Sequence, residues 1–291
     1  MRWQRGYESR DVIDKRGQGG GGASLGGLIG ILPFLLRSRY GWIGIVIILL
    51  VAVGGTFTDF FGFGGQRAAD GKHRTGPPEQ AEMVQFVSFV LDDSQKTWTE
   101  LFSQKGDAYR NAKLVLFTGA TQTSCGYGQA ASGPFYCPRD QRVYIDLSFY
   151  RELATRFGAQ GDFAQAYVIA HEIGHHVQTL RGISERVHKA PSSEQDGAGG
   201  LSVRLELQAD CFAGVWAHSS QRRGLLETGD IDEALGAASA IGDDRIQSQS
   251  GGAVHPETWT HGSAAQRARW FKQGFQSGNP DACDTFSSTA L

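Results

Sequence analysis

The sequence lacks several features that would assign it to a common class of protein. Its net charge is only −2 over 291 residues, so no overall basic field suggests a nucleic-acid ligand. None of its four cysteines belongs to a Cys-x-x-Cys pair, which argues against a cysteine metal site. No internal repeat is visible. With 40% hydrophobic and 20% charged residues, the chain can bury a full core in one domain with additional segments.

The first 80 residues differ in composition from the remainder. Residues 1–22 are polar and Gly-rich, which predicts disorder. Residues 40–57 contain no charge and the apolar character extends to residue 63, so we expect one transmembrane helix at 40–63. A buried core helix is disfavoured because the run is apolar on every side. Residues 64–78 have the composition of a linker, and we expect the folded domain at 79–291.

The charges that flank the apolar run predict its orientation. Arg37 and Arg39 precede it directly, whereas the first cation after it is Arg67. The positive-inside rule then places residues 1–39 in the cytoplasm as a partly disordered leader, and the folded domain outside. A cleaved signal peptide is the alternative, but the long polar leader argues against it.

Hydrophobic periodicity predicts a mainly helical α+β domain with a small sheet. The predicted helices are residues 79–102, 162–181, 201–223, 230–246 and 263–275. The predicted strands are residues 113–118 and 142–149, and residues 121–140 between them have the composition of a loop. Asp162 and Asp230 are each followed three residues later by Gln or Glu, so a capping box is expected at both helix starts.

The second of these helices carries the sequence HEIGH at residues 171–175. Residues four apart lie on the same face of a helix, so His171 and His175 can direct two imidazole nitrogens at one ion. In zinc hydrolases with HExxH, the two histidines bind the metal and the glutamate, here Glu172, acts on its water. A polar helix face with two hydrogen-bonded histidines is the alternative interpretation of the motif alone.

The third helix supplies the context that favours a metal site. Glu206 and Asp210 are four residues apart and therefore share one face. A catalytic zinc takes three protein ligands, which makes Glu206 the best candidate for the third. Asp210 is placed to accept the free N–H of a ligand histidine. Solvated surface charges are the alternative, but the apolar neighbours of both residues leave little room for solvent.

With these motifs the chain resembles the gluzincin class of metallopeptidases, whose pattern is HExxH plus ExxxD. More closely, it resembles a bacterial family of putative neutral zinc metallopeptidases over nearly its whole length. The resemblance rests on the Arg- and Gly-rich start, the apolar run, GPFYCP at residues 133–138, HEIGHHVQ, LELQADCFAG, and HGSAAQR at residues 261–267. It is not similar to the metzincins, because both methionines, Met1 and Met83, precede HExxH and no Met-turn can follow it.

The resemblance implies a zincin-like fold, one catalytic Zn²⁺ ion and a peptide or protein substrate. It also implies a membrane anchor. Together with the predicted orientation of the apolar run, this gives a single-pass protein of the bacterial cytoplasmic membrane with its catalytic domain on the periplasmic or extracellular side. Zinc on His171, His175 and Glu206 would polarise the peptide carbonyl and acidify its bound water. Glu172 would take the proton of that water as general base and pass it to the leaving amine.

A peptidase also needs a hydrogen-bond donor for the oxyanion besides the metal. His261 is the first candidate and His255 the second, because both are expected in loops after the metal helices. The remaining histidines, His176 among them, are interpreted as bystanders. By resemblance to gluzincins, the strand at 142–149 is a hypothetical edge strand that pairs with the extended substrate.

The four cysteines are Cys125, Cys137, Cys211 and Cys283, and they allow three disulfide connectivities. A domain outside the cytoplasm permits disulfides, and the even number fits. We favour Cys125–Cys137 because it closes a short, turn-rich loop. Cys211–Cys283 would then connect the C-terminal tail to the helix that carries Glu206.

Two other classes of function compete with a peptidase. One is a catalytically silent zinc-fold module that binds a protein partner at the membrane, although such a module has no need to keep Glu172. The other is a membrane-anchored scaffold in which HExxH is accidental. The helical spacing of Glu206 and Asp210 argues against the scaffold.

Overall fold

The structure is a computed structural model that describes residues 1–17, 78–249 and 253–291. Helices and strands are numbered separately in chain order. The strands are β1 (Val12–Asp14), β2 (Lys113–Phe117), β3 (Ala120–Thr123), β4 (Gly126–Gln129), β5 (Phe135–Cys137) and β6 (Arg142–Asp146). The helices are α1 (Pro78–Gln104), α2 (Ser148–Thr155), α3 (Asp162–Leu180), α4 (Ile183–Lys189), α5 (Leu201–Arg222), α6 (Asp230–Ala240), α7 (Asp243–Gln249) and α8 (Ala264–Ser277). The prediction of a mainly helical α+β fold with a small sheet is confirmed.

Four strands form one sheet in the order β1-β2-β6-β5. β1, β2 and β6 run parallel, whereas β5 runs antiparallel to β6. Alternating side chains of the sheet face opposite sides. Leu114, Leu116 and Ile145 belong to the main core with the helices, while Val115 and Tyr144 form a smaller cluster on the other face. β3 and β4 form a separate hairpin.

The metal-motif helix α3 is the central element of the core. Its residues at helical spacing, among them Phe163, Ala166, Ile173 and Val177, are fully buried, and α1, α5 and α6 all pack against it. Apolar burial on this scale is the main source of stability in a domain. Because α3 is enclosed on most sides, the backbone that carries HExxH is held rigidly.

The N-terminal arm, residues 1–17, is folded onto the domain, so the prediction of disorder is wrong for these residues. β1 pairs with the outer edge of β2, with Val12 opposite Leu114 and Asp14 opposite Leu116. Trp3 of the arm packs edge-to-face on an aromatic ring of α1, with ring centroids 5.6 Å apart. The arm is ordered because it supplies hydrogen bonds that the edge of β2 would otherwise lack.

Polar contacts also connect the arm to the helices. The Ser9 hydroxyl donates to Asp92 of α1 at 2.6 Å, and Gln95 of α1 donates to Asp11 at 3.0 Å. The α-ammonium of Met1 lies 3.0 Å from the carboxylate of Asp162, the first residue of α3. The arm therefore contacts the beginning of the helix that carries the metal motif.

The predicted transmembrane helix at 40–63 and most of the predicted linker at 64–78 lie outside the described residues. Within the described parts of the chain, no helix is both long enough and apolar enough to cross a bilayer.

Several predicted element boundaries differ from the structure. The predicted strand 142–149 ends at Asp146, whose carboxylate accepts the backbone N–H of Ser148 and so starts α2 there. The predicted helix 230–246 is broken into α6 and α7 around Gly242, where the backbone passes too close to α8 for a side chain. The predicted loop 121–140 contains three short strands, and α4 was not expected.

Neither predicted capping box is present. The side chains of Asp162 and Asp230 do not cap their helices, which begin after Gly161 and Gly229. Instead, Glu233 of α6 accepts the backbone N–H of Phe163 at 3.0 Å, so a residue distant in sequence caps α3.

Candidate metal centre

Helices α3 and α5 bring the three predicted ligands together. The Nε2 atom of His171 lies 3.1 Å from Nε2 of His175 and 3.1 Å from Oε2 of Glu206. The Nε2 atom of His175 lies 3.3 Å from Oε1 of Glu206. Two imidazole nitrogens and a carboxylate therefore converge on one point between the two helices.

Gly174, between the two histidines, allows α5 to approach this closely. A Cβ atom at residue 174 would lie 2.9 Å from the carbonyl oxygen of Ala209 and 3.0 Å from its Cα atom. Both are backbone atoms of α5, so a side chain here would push the helices apart. The close approach accounts for a glycine in a helix interior, where it costs about 1 kcal/mol relative to alanine.

Hydrogen bonds to the other ring nitrogens fix the tautomers of both histidines. The Nδ1 atom of His171 lies 2.8 Å from Oδ1 of Asp210, and the Nδ1 atom of His175 lies 2.9 Å from Oε1 of Gln178. The Gln178 amide is oriented by its own donation to the carbonyl of Leu205 at 2.7 Å. Because both partners of Nδ1 are acceptors, both Nδ1 atoms donate. When the rings are neutral, both Nε2 atoms direct lone pairs at the carboxylate of Glu206.

Such a convergence of electron-rich atoms requires a cation. Burial disfavours a charged imidazole, yet Asp210 and Glu206 together raise the pKa of His171 to about 10. The pKa of His175 is raised against the same burial by Glu206. Burial would raise the pKa of Glu206, but the two imidazoles hold it well below its usual range. A proton can supply the positive charge, and a zinc ion fits the same donor set of two imidazoles and one carboxylate.

Asp210 belongs to a buried network that sequence analysis identified only in part. Its carboxylate is fully buried and accepts two hydrogen bonds of 2.9 Å from Arg267, which is 2% exposed. The Tyr167 hydroxyl donates to the same carboxylate at 2.5 Å, and Nη2 of Arg267 lies 3.4 Å from Nδ1 of His171. Burial would raise the pKa of Asp210, but Arg267 and His171 lower it. Asp210 therefore stays ionised and orients His171.

The sequence did contain a signal for Arg267. It stands three and four residues before Trp270 and Phe271, both buried, and so lies on the apolar face of α8. A cation on the buried face of a helix implies a buried anionic partner. The identity of that partner depends on how α8 packs against α5.

The metal residues lie in a cleft of about 590 Å³. Its lining includes residues of β5, α2, α3, α4 and α5, and also His261 and Arg267. Glu172 lines the same cleft, and burial raises the pKa of its carboxyl despite the neighbouring imidazoles. No hydrogen bond to the Glu172 side chain occurs among residues 1–17, 78–249 and 253–291. Its carboxylate is therefore available to a water molecule or a substrate.

The two candidate oxyanion donors differ in position. His261 lines the cleft, and its Nδ1 atom lies 3.2 Å from Oδ1 of Asp243 at the start of α7. Hydrogen bonding to Asp243 raises the pKa of His261. His255 is exposed, pairs with Glu257 at 3.0 Å, and is not among the residues that line the cleft. Of the two, only His261 is near the metal residues.

The other histidines, predicted to be bystanders, differ in their surroundings, and His176 is not on an open face of its helix. It is fully buried, with Nδ1 2.9 Å from the hydroxyl of Tyr136 and Nε2 2.6 Å from the carbonyl oxygen of Arg110. His188 lines the cleft, while His218 bonds to a backbone carbonyl of α8. His73 lies outside the described residues.

The strand predicted to pair with substrate is not at the edge of the sheet. β6 lies between β2 and β5, so both of its edges are paired and the edge-strand prediction for residues 142–149 is wrong. β5 pairs only with β6 among the described strands, and its Phe135 and Tyr136 line the cleft. The sheet edge beside the metal residues is therefore β5.

Both favoured disulfides are present. Cys125–Cys137 and Cys211–Cys283 have S–S distances of 2.01 and 2.02 Å. Cys137 ends β5, and Cys211 follows Asp210 on α5. One disulfide thus anchors the strand beside the cleft, and the other anchors the helix that carries Glu206 to the C-terminal segment.

Comparison with known proteins is consistent with this site. A family model described as Putative neutral zinc metallopeptidase matches residues 1–286, which include the arm, the HExxH helix and Arg267. The chain belongs to this family. The family description implies zinc, and the structure provides the three-residue group of His171, His175 and Glu206 that could bind it.

Relatives of the zinc metallopeptidase family that are similar to this chain are themselves uncharacterised. The protein YpfJ of Escherichia coli strain K12 is 48% identical over 293 residues, which cover 99% of this chain and 100% of the relative. A protein of Mycobacterium tuberculosis strain H37Rv is 48% identical over 194 residues, which cover 63% of this chain and 65% of the relative. No solved structure matches the chain.

Proposed function

We propose that this protein is a zinc-dependent peptidase that hydrolyses peptide bonds in peptide or protein substrates. The observation that carries the proposal is the convergence of two imidazole nitrogens and the Glu206 carboxylate in a cleft that also contains Glu172. Zinc held by His171, His175 and Glu206 would supply Lewis acidity to this cleft. HExxH on α3 and ExxxD on α5 further support a gluzincin-like site on a zincin-like fold.

The residues of the chain have distinct functions in this proposal. Glu172 accepts a proton from water and donates it to the leaving amine, and burial raises the pKa of its carboxyl, which favours its holding that proton between the two transfers. His261, oriented by Asp243, donates a hydrogen bond to the oxyanion of the tetrahedral state. Asp210 and Arg267 keep His171 in the tautomer that presents Nε2 to the metal.

The substrate would lie in extended form along β5. An extended peptide can add to an exposed sheet edge through backbone hydrogen bonds. β5 meets this requirement because its second edge has no partner among the described strands and its residues line the cleft. A substrate peptide with alternate backbone amides N-methylated should then be cleaved more slowly than the unmodified peptide. Equal rates for the two peptides would exclude pairing with β5.

A catalytically silent module that binds a protein partner is the second candidate. Both candidates use the same metal residues. Only the peptidase needs Glu172 as a general base, so Glu172 is the residue that distinguishes the two. A silent module does not need a buried carboxyl beside the metal ligands, whose burial raises its pKa. The position of Glu172 therefore favours the peptidase.

The test uses the full-length protein with zinc, a mixture of proteome-derived peptides, and the variant Glu172→Gln. New peptide termini are identified by mass spectrometry. We expect cleavage by the wild type that is lost in Glu172→Gln and with a chelator, while Glu172→Gln still binds zinc. Absence of cleavage with zinc bound would favour the silent module, and absence of zinc binding would refute the ligand assignment.

We also propose that the arm and the domain both lie outside the cytoplasm. All four cysteines form disulfides, which persist in oxidising compartments. The pairing of β1 with β2 requires the arm and the domain to be on the same side of any membrane. A single membrane crossing by residues 40–63 would put the arm and the domain on opposite sides. The proposal therefore does not keep the cytoplasmic leader that the sequence predicted.

The location is tested with Gln4→Cys on the exposed arm and Ser192→Cys on the exposed surface of the domain. Intact cells with a permeabilised outer membrane are treated with a maleimide that cannot cross the cytoplasmic membrane. We expect both cysteines to be labelled, because both lie in the outer compartment. Labelling of Ser192→Cys alone would restore the cytoplasmic leader, and labelling of neither would place the protein inside.

A further inference from the structure

The residue directly after the second metal ligand is attached to the strand beside the cleft. His176 of α3 is fully buried, and its ring packs edge-to-face against Tyr109 and Tyr136, each with centroids 5.5 Å apart. Tyr136 is the central residue of β5 and lines the cleft. One helix thus carries the metal ligands at 171 and 175 and a separate connection to β5 at 176.

We propose that His176 is a positioning residue that fixes β5 relative to the metal helix and so sets the place of the peptide along the cleft. The geometric part of the proposal rests on contacts of His176 alone. The substrate part rests on the proposed peptidase function.

Both hydrogen bonds of His176 have a defined direction. The Nε2 atom lies 2.6 Å from the carbonyl oxygen of Arg110, which can only accept, so Nε2 carries the proton. In the neutral ring Nδ1 is then an acceptor, and the Tyr136 hydroxyl donates to it at 2.9 Å. Arg110, three residues before β2, and Tyr136 in the middle of β5 are therefore both bonded to one ring on α3.

Other contacts of β5 lie mainly on the sheet side, where Phe135 stacks on Tyr144 with ring centroids 5.0 Å apart. It is three residues long and pairs through Phe135, Tyr136 and Cys137 with β6 only, among the described strands. The Cys125–Cys137 disulfide connects its end to the hairpin of β3 and β4, not to α3. Thr179 of α3 also interacts with the Tyr136 hydroxyl. The polar connection between β5 and the metal helix therefore centres on Tyr136 and His176.

The expected effect of breaking the connection follows from its location. Removing the Tyr136 hydroxyl leaves Nδ1 of His176 buried without a donor, which disfavours the present packing of β5 on α3. His171 is bonded to Glu206 and Asp210 of α5, and His175 is bonded to Gln178. None of these three partners contacts the Tyr136 hydroxyl. Peptide binding should weaken while zinc binding is retained.

The experiment compares full-length Tyr136→Phe with the matched control Tyr144→Phe. The Tyr144 hydroxyl donates to Asp140 at 2.8 Å on the face of the sheet directed away from α3. The control loses this hydroxyl bond of the same sheet but keeps the ring that stacks on Phe135 of β5. His176→Gln is added as a conservative variant, since a glutamine can donate to Arg110 and accept from Tyr136. Hydrogen–deuterium exchange of residues 134–138, zinc affinity by chelator competition, and KM and kcat for one identified peptide are measured.

We expect faster exchange in residues 134–138 and about a tenfold rise in KM for Tyr136→Phe, with zinc affinity and kcat within about twofold of wild type. His176→Gln should change β5 exchange and KM less than Tyr136→Phe does, and Tyr144→Phe should change neither. Unchanged exchange in Tyr136→Phe would overturn the positioning of β5. Faster exchange with unchanged KM would overturn its connection to substrate, and an equal loss of zinc affinity would mean that His176 acts on the whole metal helix.

The exchange measurement separates this proposal from the peptidase proposal. If the wild type cleaves no peptide, the function is refuted, while the exchange of β5 in Tyr136→Phe still tests the connection to α3. If the wild type cleaves and β5 exchange is unchanged, only the positioning by His176 is refuted.

Discussion

Replacing Arg267 with methionine tests whether the buried network beneath the metal residues does more than stabilise the fold. Arg267 is 2% exposed and donates twice to Asp210, which is fully buried. Methionine retains much of the side-chain length and can pack in the same space. The Arg267→Met variant therefore removes the charge and both hydrogen bonds with little loss of volume.

The structure sets two magnitudes for this variant. Removing one partner of a buried ion pair leaves the other charge uncompensated, which costs about 3–5 kcal/mol of folding stability. Without Arg267 the Asp210 carboxyl is driven towards its neutral form, which holds His171 less firmly. Loss of such an outer-shell partner lowers metal affinity by about 10–100-fold.

The matched control is Arg223→Met. Arg223 also donates twice to a buried carboxylate, Asp93, at 2.7 and 2.8 Å, but this pair connects α5 to α1 away from the metal residues. Arg223 is more exposed than Arg267, with 23% of its side chain accessible, so its loss should cost less stability. It should leave zinc affinity unchanged.

The assay has two parts, both on the full-length protein. Urea unfolding is measured in excess chelator, so that metal binding does not contribute to the free energy of unfolding. Zinc affinity is measured separately by chelator competition under conditions in which all variants are folded. If Arg267→Met binds zinc as tightly as wild type, or if Arg223→Met loses as much zinc affinity as Arg267→Met, the positioning of His171 through Asp210 is refuted.

Three further predictions concern the packing, the disulfides and the pH profile. Gly174→Ala should separate α3 from α5 and lower zinc affinity at least tenfold in chelator competition; unchanged affinity would show that the helices adjust freely. Replacing Cys211 and Cys283 together with alanine should lower the free energy of unfolding in urea by about 4 kcal/mol, from the loop of 72 residues that the disulfide closes, and a loss below about 1 kcal/mol would contradict this. Asp243 raises the pKa of His261, so a protonated His261 persists to higher pH in the wild type than in Asp243→Asn. If that protonated form assists cleavage, the basic limb of the pH–rate profile should move to lower pH in Asp243→Asn, and an unmoved limb would exclude this function of His261.

Sequence analysis succeeded where the placement of side chains depends on helical spacing. His171 and His175 share a face because they are four residues apart, and Glu206 and Asp210 share a face for the same reason. These side-chain positions are local properties of a helix, so they could be predicted before any packing was known. The main helices were predicted by the same kind of periodicity, with boundaries that shifted by a few residues except at 230–246, which is broken into α6 and α7. Strand β2 was predicted as a short apolar strand.

Sequence analysis failed where a residue depends on contacts distant in the chain. The arm appears disordered by composition, yet β1 is ordered by pairing with a strand about 100 residues later. His176 resembles any histidine on a helix until Tyr136 and Arg110 are found at its two nitrogens. Arg267 could be marked as a buried cation, but not as the partner of Asp210.

The sequence by itself indicated the metal-ligand set that we propose and its general base, because spacing along each of two helices constrains the side chains that share a face. It also favoured Cys125–Cys137 as the closure of one short loop, which left Cys211 and Cys283 as the second pair. Only the tertiary structure decided that α5 lies against Gly174, that β5 and not β6 is the edge at the cleft, and that the arm belongs to the domain. The physical reason is that these features arise from packing and pairing between segments far apart in the chain. No local periodicity encodes which of several apolar faces or strand edges will meet.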